Sequence, residues 1–237
     1  MPTYLNRYLA GDTQGVWDEI GGLVTADLSV EDKQDVQAVC DETMARVRQN
    51  AETLVRALSS IGFEFGLYPD GEKAFGYSAP LTIPKPDVKN RLRTLESLVG
   101  ELPMSLRAFW QQIGSIWLIG RHPEFPSLSD PLVVEDIENT FFELQSWQEM
   151  VAQEGKDAIG PFRAVIAPDD YHKDNVSGGD WYGIALPCRT VDAKLLSESH
   201  ETTFVNYLRL TFQAKGFPGA ARLPDALENL DIGLIEI

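Results

Sequence analysis

Apolar residues in this chain recur mostly at steps of three and four, and alternate at steps of two only in short pieces. The longest stripe is Val36, Val39, Cys40, Met44, Val47, Ala51, Leu54, Leu58 and Ile61. That spacing predicts one long amphipathic helix. Ser29 and Asp32 open it as a capping box, and Gly62 closes it. Glu42 with Arg46, and Glu52 with Arg56, form favourable i,i+4 pairs on its polar side. Two shorter helices are expected before it, over residues 4–10 and 15–21, the second with Val16, Trp17 and Ile20 on one face. After it, Val88, Leu92, Leu95, Leu98 and Val99 predict another helix, begun by Asp87 and ended by Gly100.

Residues 102–120, LPMSLRAFWQQIGSIWLIG, combine both periods. Leu102, Leu106, Phe109, Trp110 and Ile113 share a helical face, with Pro103 in the first turn, where its missing N–H costs nothing. Gly114 is expected to take a left-handed cap conformation. Residues 116–119 are short and wholly apolar, as a buried strand is. Phe63, Phe65 and Leu67 alternate like a strand before the turn YPDGEK, with Phe75 and Tyr77 beyond it. Either a hairpin or an aromatic-anchored loop fits. PLTIPKP must be extended, because each proline restricts its predecessor. It marks a joint between a helical N-terminal extension, residues 1–86, and a main domain, residues 87–237.

In the main domain, residues 121–130 read as a loop, 131–134 as a strand, and 137–153 as a helix with Phe141, Leu144, Trp147 and Val151 on its stripe. Strands are expected at 162–167 and 181–186, on either side of a polar loop, 168–180. A helix is expected at 198–214, a helical turn or two in LPDALENL, and a terminal edge strand at 234–237. Trp17, Trp110, Trp147 and Trp117 fall on apolar faces and are expected inside; Trp181 borders the polar loop and is expected to be partly exposed.

Charge changes this picture more than composition does. Against 20 basic residues stand 36 acidic ones, a net charge of −16. Such a surface repels phosphate backbones and anionic lipid heads, disfavouring nucleic acid and membrane as partners. A cationic protein would be steered towards it. No apolar run approaches the roughly 20 residues of a bilayer span, and the first residues lack the layout of a signal peptide. A cytoplasmic location is expected. Cys40 and Cys188 make neither a disulfide framework nor a metal knuckle, and read as packed reduced thiols.

The densest polar cluster runs from Asp169 to Asp180. Asp170, His172 and Asp174 have the spacing of a calcium loop, but Asn175 stands where its glycine is required and no glutamate closes it. A contact loop fits better, with Tyr171, His172, Asp174, Asn175 and Trp181 as partner-binding residues beside mobile glycines. Ser177 lacks a nucleophile-elbow frame, the three histidines are scattered, and no phosphate-binding glycine motif occurs. No catalytic, cofactor or metal residue is expected.

The order helix, LP-helix, glycine, strand, then a DPL strand, a hairpin and a FVNYLRL helix resembles the SUKH superfamily, which includes the yeast cell-wall assembly regulator and many bacterial immunity proteins. The resemblance rests on Leu102-Pro103, Leu106, Phe109 and Gly114, on Asp130-Pro131-Leu132, and on Phe204-Val205 with Tyr207-Leu208. Residues 102–219 carry most of it. HKDNVSGGDWY and GFPG look like a bacterial branch of that group. The resemblance implies an α+β domain, a mostly antiparallel sheet with helices packed on one side. It also implies a non-enzymatic protein-binding role without cofactor, in bacteria often neutralisation of a toxin. Two alternatives are an intracellular scaffold or regulator of the same fold, and a metal-dependent hydrolase using residues 169–180.

Overall fold

The computed structural model describes residues 3–124, 128–220, 223–229 and 232–237. Part of the expected loop at 121–130, namely Phe125, Pro126 and Ser127, lies outside the described residues, as does the last residue of LPDALENL.

Helices α1 (Tyr4–Leu9) and α2 (Thr13–Ile20) lead into α3 (Val30–Ser60). Ser29 caps α3 by accepting from the Asp32 N–H at 3.0 Å, as its capping box predicts. The stripe from Val36 to Leu58 is fully buried. It packs mainly on α5 (Met104–Gln112), which follows β1 (Glu64–Phe65) and α4 (Val88–Val99) in the chain. Strands β2 (Ile116–Trp117), β3 (Gly120–Arg121) and β4 (Val133–Val134) come next, then α6 (Ile137–Glu154), α7 (Lys156–Ile159), β5 (Arg163–Ala167), α8 (Asp170–Lys173), β6 (Tyr182–Ala185), α9 (Phe204–Gln213) and α10 (Asp225–Glu228).

The chain is α+β. Among the described residues its strands form three two-stranded antiparallel ladders, β1 with β3, β2 with β4, and β5 with β6. Isolated bridges extend them, such as Leu81 against Ile116. The ladder β1–β3 and the packing of α3 on α5 join residues on both sides of position 86 within one buried cluster.

Four local expectations need correction. Gly114 is absent from the left-handed glycines; a Cβ there would stand 2.6 Å from the Ile83 carbonyl oxygen. Glycine is needed because the extended segment at 82–83 passes against it. The expected strand at 116–119 splits: Leu118 donates to the Leu132 carbonyl, and pairing then passes to β3 and β1. The expected helix at 198–214 begins only at Phe204, since Ser197 and Glu201 are left-handed and Lys194 bridges Thr203. Residues 234–237 join no strand. The Asn50 amide instead donates to the Ile235 carbonyl and accepts its N–H, both at 2.8 Å. A side chain supplies the two bonds that an edge strand would supply.

Candidate functional site

β4 ends at Val134, and the next two residues turn the chain into α6. Asp136 caps that helix, accepting from the Glu138 and Asn139 N–H groups at 3.0 and 3.1 Å. Glu135 is fixed from two sides. Trp110 Nε1 donates to its carbonyl oxygen at 3.0 Å, and Trp117 Nε1 donates to its carboxylate at 3.3 Å. Two tryptophans that look like simple core residues in sequence therefore position one glutamate. Trp117 is half-buried rather than enclosed, and so is Trp147.

Glu135 lies on a groove of about 470 Å³, within the roughly 300–1,000 Å³ range of ligand sites. β2 contributes Trp117, α6 contributes Phe142 and Glu143, and the 68–78 segment contributes Tyr68 and Phe75. The side nearest α8 is lined by His172 and Trp181. Its rim is aromatic and open to solvent: Phe75 is 89% exposed, Phe142 67% and Trp181 37%. Exposed phenylalanines facing one concavity are unusual on a solvated surface.

Electrostatics set Glu135 apart. Burial, with the neighbouring charges of Asp136 and Glu143 adding to it against the Trp117 hydrogen bond, pushes its pKa from the usual 4.5 up to about 7. Burial also raises Glu143. Glu138, by contrast, is paired with Arg91 and, at 3.7 Å, with Lys85. Among the described residues no cation within 4.0 Å is paired with Glu135 or Glu143.

The polar segment 168–180 is ordered rather than a plain hairpin loop. Asp169 caps α8 through the His172 N–H at 3.1 Å and holds the His172 Nδ1 at 2.9 Å. Asp170 accepts from Ser129 Oγ and from the Asp130 N–H, both at 2.9 Å. Lys173, fully buried, is paired with Asp130 and lies over the ring of Tyr182 at 4.7 Å. Burial lowers the Lys173 pKa against the pull of Asp130. Asp180 bonds Arg163 and Ser197, which hold its pKa low. These carboxylates are engaged in local structure, and among the described residues no three His, Cys, Asp or Glu side chains form a group able to hold a metal.

Of the five residues expected to bind a partner, the fold brings two to the groove. His172 and Trp181 lie with ring centroids 5.0 Å apart. Tyr171 is exposed but does not line the groove. Asp174 ends α8 and also stands outside it. Asn175, left-handed at φ 63°, donates to Asp70 at 2.9 Å and so ties the α8 segment to the 68–78 segment. Sequence reasoning missed Phe75, Trp117, Glu135, Phe142 and Glu143. Phe142 did carry a signal: it is a large apolar residue off the buried face defined by Ile137, Thr140 and Leu144. Glu135 carried none, because its burial comes from tertiary neighbours.

Comparison with known proteins finds no matching family, no matching curated protein and no matching solved structure. None of the helices is long and apolar enough to cross a membrane, among the described residues.

Proposed function

We propose that this chain is a non-enzymatic, cytoplasmic protein-binding module of the SUKH type, and that it acts as an immunity protein that blocks a basic toxin domain by occlusion. The observation that carries the reading is the groove itself: solvent-exposed Phe75, Phe142 and Trp181 around half-buried acidic groups on a chain of net charge −16. Desolvated aromatic anchors supply residence time, and complementary charge supplies association rate. The reading draws on the α+β class and on the chain order α5, β2, β4, with β2 antiparallel to β4, although among the described residues the strands form three two-stranded ladders rather than the one sheet that the SUKH resemblance implies. The segment 168–180, the alternative seat of a metal-dependent hydrolase, has Asp169, Asp170 and Asp180 already bonded within the fold.

The test is retention from bacterial extract on the immobilised protein at low and high salt. A basic protein should be retained by the wild type, more weakly at high salt, and lost from a Phe75→Ala, Phe142→Ala double variant. Equal retention by the double variant, or none by either protein at any salt, contradicts the reading. A secreted-toxin gene beside the coding sequence separates immunity from a scaffold or regulator of the same fold.

A further inference from the structure

The proposed function leaves open what enters the groove. Resting on that reading, we infer that the groove seats an arginine side chain of the partner protein, its guanidinium against Glu135 and stacked among the aromatic rings.

Glu135 has an unmet need. Glu135 is half-buried, it is surrounded by like charge from Asp136 and Glu143, and among the described residues it is paired with no cation. A carboxylate in that position is poorly solvated when ionised. An incoming cation relieves the repulsion and restores the lost solvation.

This chain seats two of its own arginines in a recurring way. Arg91 lies with its guanidinium carbon 4.3 Å from the Phe141 ring centroid and donates from Nε to Glu138 at 2.8 Å. Glu138 lines the groove, and Phe141 adjoins Phe142 in sequence. Arg46 repeats the pattern, 4.6 Å over Tyr8 and bonded to Glu42 at 2.8 Å. In both cases one aromatic face and one carboxylate hold a guanidinium. The groove offers the same pair of elements, with Trp117 and Phe142 as rings and Glu135 as carboxylate, and among the described residues no arginine lines it. Arginine suits the place better than lysine. Its charge is delocalised and weakly hydrated, it stacks on aromatic faces, and its fork can bond both carboxylate oxygens. The volume exceeds one side chain, so the flanking partner residues lie over the exposed Phe75 and Phe142.

The probe is the peptide acetyl-Gly-Arg-Gly-amide, compared with its citrulline and lysine counterparts. The five tryptophan indole N–H resonances of the labelled full chain report binding. The arginine peptide should shift the Trp117 and Trp181 signals saturably and leave Trp17 unmoved. Citrulline, which keeps the shape and lacks the charge, should bind at least about tenfold more weakly. Lysine should fall between them. Glu135→Gln, which keeps an acceptor for Trp117, should weaken arginine binding about tenfold while the other indole signals show that the fold is intact. Equal shifts by arginine and citrulline, an unchanged affinity in Glu135→Gln, or no saturable shift at millimolar peptide would overturn the inference. If the arginine peptide fails while the Phe75→Ala, Phe142→Ala variant still loses its retained protein, the arginine assignment falls and the binding reading stands. If the peptide binds but retention is insensitive to that variant, the binding reading falls instead.

Discussion

Asp130 and Glu135 flank the same two-residue strand, β4, and meet opposite fates. Asp130 is buried against the ammonium of Lys173, and the Asp170 carboxylate accepts its backbone N–H. Glu135 is also drawn inward, held by Trp110 and Trp117, yet among the described residues no cation is paired with it. One carboxylate is part of the architecture. The other lines an open groove. Two acidic residues five positions apart thus differ in what they ask of their surroundings, and only tertiary structure shows which is which.

The largest effect should come from breaking the ion-paired side. Lys173→Met leaves Asp130 buried without its cation and should lower unfolding free energy by about 3–5 kcal/mol in a urea titration. Adding Asp130→Asn should recover a good part of that loss, because the amide carries no charge and asparagine tolerates the left-handed φ of 53° there. A double variant as unstable as the single one would mean that the ion pair is not what the cluster relies on.

The unsatisfied side should respond in the opposite direction. Because the folded-state pKa of Glu135 lies above its unfolded value, the stability linked to it is fully present below about pH 4.5 and is lost as pH rises through about 7. Glu135→Gln should therefore be more stable than the wild type at pH 8, by up to about 3 kcal/mol, and indistinguishable from it at pH 4. Denaturant titrations at both pH values check this; a variant destabilised at pH 8 would show that the charge is welcome where it stands.

Smaller effects sharpen the same contrast. Asn175→Ala removes the bond to Asp70 and places alanine at a left-handed position, for a loss of about 1 kcal/mol by thermal melting. Phe142→Ser should stay within about 0.5 kcal/mol of the wild type, since the ring is 67% exposed, while weakening partner retention. A substantial loss of stability in Phe142→Ser would place that ring in the structural class with Lys173.

The helices that carry a period were the legible part of this chain. α3 follows from its stripe and cap, and α6, at Ile137–Glu154, falls within a residue of expectation because Asp136 and the 3.6-residue period both mark it. The buried face of α5 and its flanks, from Leu102 to Ile113, was equally plain. The short ladders were not. A two-residue strand such as β1 has no period to detect, and its pairing with β3 bridges more than fifty positions. The terminal segment was unreadable because its partner is the Asn50 side chain, not a strand. The candidate site was half legible. His172 and Trp181 stood out by chemistry beside Gly178 and Gly179, whereas Glu135 is made distinctive by Trp110, Trp117, Asp136 and Glu143, which only the fold assembles.

The most direct measurement is a carbon-detected NMR titration of the Glu135 side-chain carboxyl in the free protein and with acetyl-Gly-Arg-Gly-amide at saturation. A midpoint near 7 in the free protein, falling by at least about one unit with the arginine peptide, is the predicted result. A free-protein midpoint at the usual 4.5, or one that the peptide leaves where it was, would contradict the account.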